Sequence, residues 1–88
     1  MSAGAAMTIM IQNNWTQIGV GEDGSPIHAC GVYEGDQVLG RIVDLNNGFY
    51  RADFVNGEGN PQEIVMPDYP SAIMRVVEEA KIRRRMMN

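Results

Sequence analysis

Gly35-Asp36-Gln37-Val38-Leu39-Gly40-Arg41-Ile42-Val43-Asp44-Leu45-Asn46-Asn47-Gly48-Phe49-Tyr50-Arg51-Ala52 sets two turn signals, Gly35-Asp36 and Asn47-Gly48, around a stretch rich in Val, Ile and Leu. Two-residue turns of this composition supply the positive φ angles that a hairpin needs, so they set strand direction and register together. Upstream, Asp23-Gly24 repeats the signal between Ile18-Gly19-Val20 and Ile27-His28-Ala29. Three such turns in succession predict an antiparallel meander.

The turns also predict which side chains share a face. With Asp23-Gly24 as a two-residue turn, Val20 opposes Ile27 and Ile18 opposes Ala29. With Gly35-Asp36, Tyr33 opposes Val38 and Val32 opposes Leu39. With Asn47-Gly48, Leu45 faces Tyr50, Val43 faces Ala52 and Asp44 faces Arg51, an opposite-charge pair worth about 0.2–1 kcal/mol. A three-residue turn would set Asp44 against Tyr50 and Val43 against Arg51, a poorer match on both counts. One face then collects Trp15, His28, Cys30, Val32, Leu39, Arg41, Val43, Leu45, Tyr50, Ala52 and Phe54. The other collects Ile18, Val20, Ile27, Ala29, Tyr33, Val38, Ile42, Asp44, Arg51 and Asp53. The second face is too apolar near the first hairpin to stay fully wet, so the sheet curls or a partner covers it.

Outward from the meander, Asn56 to Gln62 reads as a loop and Glu63-Ile64-Val65-Met66 as a short last strand stopped by Pro67. Pro70-Ser71 opens a helix, since a proline near the first turn lacks only an N–H that would be unpaired anyway. Ile73, Val76, Val77 and Ala80 recur at three- and four-residue spacing and form its apolar stripe. The fold class expected is α+β: a meander of four to five strands over about 15–66, packed by one C-terminal helix over about 70–85. The alternative is a small SH3-like barrel with an appended helix. Residues 1–14 form a flexible arm or a short edge strand, Thr8 to Ile11, pairing at home or with a neighbouring subunit, and 15–88 form a single domain. Met7 and Met10 each offer an alternative start.

Eighty-eight residues leave room for one core. A single cysteine, Cys30, allows no intrachain disulfide, and residues 1–11 contain no Lys or Arg for a signal-peptide n-region. No segment approaches the roughly 20 apolar residues that span a bilayer. A cytoplasmic protein is the expectation, with no membrane partner. Residues 1–70 hold two basic and nine acidic groups, whereas residues 71–88 hold five basic and two acidic. Such asymmetry bears on partners and association rate rather than on fold.

Chemistry-bearing constellations are sparse. His28 and Cys30 share a strand face, and the expected register sets Cys30 opposite Arg41, whose guanidinium would lower a thiol pKa. A small cysteine packed beside a histidine is the plainer reading, and no second motif supports a nucleophile. One His and one Cys fall short of any zinc signature, and no EF-hand spacing is present. Gly19-Val20-Gly21-Glu22-Asp23-Gly24 is followed by no Gly-Lys-Ser/Thr and leads into a strand, so its glycines serve a turn rather than a phosphate. No metal, no cofactor and no enzyme activity are expected.

Gly35-Asp36-Gln37-Val38, Phe49-Tyr50-Arg51-Ala52 and Asp68-Tyr69 together resemble the strand order of Tudor-like SH3 barrels over Gly35 to Tyr69. The resemblance implies an aromatic pocket for a cationic ligand built from Phe49, Tyr50 and Tyr69. The helix after Tyr69 departs from that family's closing strand, and core and hairpin-tip packing of these rings is the favoured expectation.

The leading functional expectation is a non-catalytic, small acidic interaction module. It would act as inhibitor or adaptor on a basic, nucleic-acid-binding kind of partner surface, in the manner of small acidic phage or mobile-element proteins. Glu22, Asp23, Glu34, Asp36 and Glu58 would carry the contact. One alternative is a nucleic-acid-binding regulatory domain using Lys81, Arg83, Arg84 and Arg85. Another is a homo-oligomeric structural subunit using the Thr8–Ile11 edge and the Met86-Met87 helix end.

Overall fold

The computed structural model describes residues 9–11 and 14–86 of the chain. Six strands and one helix follow in the order β1 (Ile9–Ile11), β2 (Thr16–Val20), β3 (Pro26–Glu34), β4 (Gln37–Asp44), β5 (Tyr50–Val55), β6 (Pro61–Met66) and α1 (Tyr69–Met86). All the pairings are antiparallel. β3, β4, β5 and β6 lie side by side, and β1 and β2 share the far edge of β3, pairing with Val32–Glu34 and with Pro26–Ala29 respectively. β6 and the β1/β2 pair form two open edges, so the sheet is an α+β meander and not a closed barrel. The short N-terminal strand pairs at home. Residues 1–8 and 12–13 of the expected arm, and Met87, lie outside the described residues.

Three registers differ from the expectation, the second and third by one residue and the first by one at its loop and by two past its bulge, where Thr16 rather than Ile18 opposes Ala29. At the first loop, Gly21 and Ser25 close a three-residue loop, Val20 opposes Pro26, and a bulge falls at Ile18. At Gly35-Asp36 the two-residue turn forms as expected and Tyr33 opposes Val38. Leu39 is then an extra residue in β4, so Val32 opposes Gly40, Cys30 opposes Ile42, and Arg41 lies opposite Gly31 rather than Cys30. At the third hairpin the loop is Asn46-Asn47-Gly48, closed by Leu45 and Phe49, so the register judged poorer is the one formed.

That loop is built by its own side chains. Asn46 takes a φ of 65°, a conformation asparagine tolerates, and Asp44 accepts its N–H at 2.9 Å. Asn47 accepts the Phe49 N–H, and Asn46 Nδ2 donates to the Pro26 carbonyl at 2.8 Å, tying the loop to its neighbour. The Leu39 bulge and the added loop residue compensate each other. β3 and β5 keep their expected faces, and β4 is turned over: Gly40 and Ile42 face inward where Arg41 and Val43 were expected.

The helix accounts for the inward face of β4. Val76 and Ala72 are fully buried against Cys30, Val32, Ile42, Ala52 and Phe54, with Ile73 and Val77 packed at the margin. A Cβ on Gly40 would lie 2.9 Å from Val76 Cγ1 and closer still to the Asp53 carbonyl oxygen. The helix therefore rests on bare backbone at this point. On the opposite face Ala29 and Val43 are buried within the chain itself, while Val38 stays exposed; Val20, opposite Pro26, has moved to the helix-bearing side and is exposed there. Charges cross that face as Arg41–Asp53 (2.9 Å) and Arg51–Asp53 (2.7 Å), in place of the expected Asp44–Arg51 pair.

Asp68 caps the helix, a role the proline signal did not show. Its Oδ1 accepts the Ser71 N–H at 2.8 Å. Hydrogen bonds from the Ser71 side chain and backbone hold the carboxyl below its ordinary value of 3.8. A folded-state pKa below the unfolded one gives stability that is complete above pH 3.8 and is lost as the pH falls through the folded value. Asp68→Ala is expected to lower the midpoint of thermal unfolding at neutral pH, and Asp68→Asn, which keeps an acceptor, to lower it less. The difference between wild type and Asp68→Ala is expected to vanish at a pH below the folded pKa.

Candidate functional site

A meander delivers alternate loops to opposite ends of the sheet. The 21–25 and 46–48 loops and the helix N-terminus therefore share one end, since β6 finishes with Met66 opposite Tyr50 and α1 starts at Tyr69. The 35–36 turn, the 56–60 loop and the helix C-terminus share the other, where Arg84 is ion-paired with Glu34.

This placement divides the five expected contact carboxylates. Glu22 and Asp23 lie at the first end; Glu34, Asp36 and Glu58 lie at the second, about 30 Å away at the rise of an extended nine-residue strand. The basic tip lies at the second end with those three. Arg84 is engaged by Glu34, and Lys81 is 3.6 Å from Glu78 on its own helix. Arg83 and Arg85 have no ion-pair partner among the described residues. Charges of both signs therefore meet at the second end.

The first end is acidic throughout. Residues 14–28, 44–50 and 66–73 contain Glu22, Asp23, Asp44 and Asp68 and no Lys or Arg. The nearest sheet arginine, Arg51, lies on the helix-free face and is bonded to Asp53. Three of the four carboxylates double as loop anchors: Asp23 accepts the Ser25 N–H, Asp44 that of Asn46 and Asp68 that of Ser71. The bonds from Ser25, backbone first and side chain second, hold the Asp23 carboxyl below its ordinary value.

At the same end sits a cluster of three rings: Asp44 pairs with Tyr50 and Asp68 precedes Tyr69, whereas Glu22 and Asp23 lie about 13 Å further out, at the tip of the β2–β3 hairpin beyond His28. Trp15, Tyr50 and Tyr69 are in mutual contact, with centroids 5.7 Å apart for Trp15–Tyr69, 5.6 Å for Tyr50–Tyr69 and 6.5 Å for Trp15–Tyr50. Their planes are tilted by 46–58°, a favourable arrangement for aromatic pairs. Each ring comes from a different element: Trp15 from the lead into β2, Tyr50 from the start of β5 and Tyr69 from the first turn of α1. Trp15 is 38% exposed and the two tyrosines are half-buried. The cluster thus closes the core at this end and also presents aromatic surface to solvent. Phe49, expected in such a set, is exposed at the hairpin tip and contacts none of these rings. Trp15 takes its place. Placing Trp15 and Tyr50 on one face was within reach of strand alternation, but Tyr69 joins them only through the helix geometry.

The reactive-thiol arrangement does not form. Cys30 is buried in the core with its Sγ 3.9 Å from Tyr69 Oη, and burial pushes the thiol above its ordinary value. Arg41, which would have activated it, points to the opposite face and is bonded to Asp53. Among the described residues no group of three or more His, Cys, Asp or Glu side chains is arranged to hold a metal ion. No described helix is long and apolar enough to cross a membrane. Comparison with protein-family models, with curated proteins and with solved structures finds no match for this chain.

Proposed function

We propose that the protein is a non-catalytic interaction module that binds a basic segment of a partner protein at its acidic, ring-bearing end. The observation that carries this reading is the coincidence of the Trp15–Tyr50–Tyr69 cluster with Glu22, Asp23, Asp44 and Asp68 at an end without Lys or Arg. Carboxylates raise the local concentration of a cationic segment and speed its arrival. An arginine or lysine side chain laid on an exposed ring face adds about 0.5–1 kcal/mol. Neither effect requires a deep pocket. The resulting activity is occlusion or recruitment, so the module acts as an inhibitor or adaptor on a basic surface. The mixed charge at the opposite end supports the nucleic-acid alternative less well, because Glu34 occupies Arg84 in the middle of the basic run.

The test is a titration with an eight-residue peptide of alternating Arg and Ala, read by the emission of Trp15, the single tryptophan. Saturable binding is expected to shift that emission and to weaken several-fold between about 0.05 and 0.5 M salt as screening shortens. A peptide with Glu in place of Arg is expected to leave the emission unchanged. No response to the Arg peptide, or an equal response to both peptides, would overturn the reading.

A further inference from the structure

The two edges of the sheet differ in how they are protected. The β1/β2 edge is broken into a three-residue and a five-residue piece, and β2 carries the bulge at Ile18. Bulges and short strands are devices that discourage edge pairing. β6 has neither: its six residues pair with β5 in unbroken register, from Val55 with Pro61 to Tyr50 with Met66. Beyond the loop bond from the Asn56 N–H to the Asn60 carbonyl, antiparallel alternation turns the N–H and C=O of Gln62, Ile64 and Met66 toward β5. The N–H and C=O of Glu63 and Val65 therefore point away from the sheet. Val65 is 56% exposed, and no described strand lies beyond it.

Beside this edge, on the helix-bearing face, runs a shallow groove of about 390 Å³ lined by Met66, Pro70, Ser71, Met74, Arg75 and Glu78. Met74 is 57% exposed there, an apolar side chain on the helix flank with nothing packed over it. The Arg75 guanidinium lies over the Phe54 ring at 5.7 Å, level with Gln62, which pairs with Phe54. It is ion-paired with Glu79 on its own helix but not hydrogen-bonded to it. Nε makes no hydrogen bond, and the nearest carboxylate oxygen, on Glu79, is 3.6 Å away.

We propose that the β6 edge and this groove form a strand-addition site for an extended polypeptide segment carrying an apolar residue and a carboxylate four positions apart. The backbone of the incoming strand pairs with the outward groups of Glu63 and Val65. Side chains four apart fall on one face of a strand and span the distance from Met66 to Gln62, so the apolar one enters between Met66 and Met74 while the carboxylate reaches the Arg75 guanidinium. This site is separate from the acidic end and does not rest on the reading given for it. The two together would let one small domain hold two partners.

The probe is the synthetic peptide acetyl-Thr-Val-Thr-Leu-Thr-Glu-Thr-Val-amide, carrying a fluorophore and followed by anisotropy against the full chain. Saturable binding is expected, weakened at least about tenfold by Val65→Pro. That substitution removes an N–H facing away from β5, so the protein's own ladder stays intact and the thermal midpoint is expected to move little. N-methylation of the pairing amides in the peptide is expected to weaken binding equally, with the protein unaltered. Arg75→Gln is expected to abolish the preference for the Glu peptide over a Lys counterpart. Unchanged affinity with Val65→Pro or the N-methylated peptide, no saturable binding at all, or a doubled mass showing that a second copy occupies the edge would each overturn the proposal.

Discussion

Replacing Gly40 by alanine is expected to destabilise the protein by about 3 kcal/mol, the upper range for an overpacked core site. For a domain of this size that corresponds to a fall in thermal midpoint of roughly 10–20 °C. The added methyl meets two obstacles that cannot yield separately. One is the Asp53 carbonyl on the neighbouring strand, which is backbone; the other is Val76 on the helix, already fully buried. Relief requires the helix to lift from β4, uncovering Ile42, Ala52 and Phe54 beneath it. The matched control is Gly19→Ala, where a Cβ meets nothing within 4 Å and the midpoint is expected to stay within experimental error. Thermal unfolding of the two variants side by side checks this. Equal midpoints would mean that the helix does not rest on Gly40.

The second large effect concerns binding. Glu22→Lys combined with Asp23→Asn is expected to weaken the Arg-rich peptide roughly tenfold at low salt, since each exposed charge pair contributes modestly and several act together. Asparagine keeps the oxygen that accepts the Ser25 N–H, so the loop is retained while the charge changes. The loss is expected to shrink at high salt, where screening has already removed most of what the wild-type carboxylates supply. Variants at Trp15 and Tyr50 are less decisive, because those rings also close the core.

Much of this architecture can be read from residue order. The turn dipeptides locate the hairpins, strand alternation assigns β3 and β5 to their faces, and the Ile73–Ala80 spacing gives the helix. What escapes is the orientation of β4. It depends on two single-residue events, the bulge at Leu39 and the inclusion of Asn46 in the loop, and both are set by tertiary contacts. The bulge brings Gly40 beneath Val76, and Asn46 reaches across to the Pro26 carbonyl. A local count of turn residues contains neither. Because one slip reverses a whole strand, the expected Cys30–Arg41 neighbourhood and the Asp44–Arg51 pair were both lost together. The acidic character was legible as composition, but a sum of charges has no position. Only the alternation of loop ends shows that Glu34, Asp36 and Glu58 share an end with the arginines, while Glu22 and Asp23 lie at the same end as the aromatic cluster, on the hairpin that projects beyond it.

The central claim is that one end of the molecule, rather than its acidity as a whole, receives the partner. The most direct measurement compares the affinity of the Arg-rich peptide for Glu22→Lys/Asp23→Asn with that for Glu58→Lys/Asp36→Asn. Both variants change the net charge by the same amount, so a purely global effect would weaken both equally. The account predicts the roughly tenfold loss for the first and less than about twofold for the second. Equal losses, or a larger loss for the second, would contradict it.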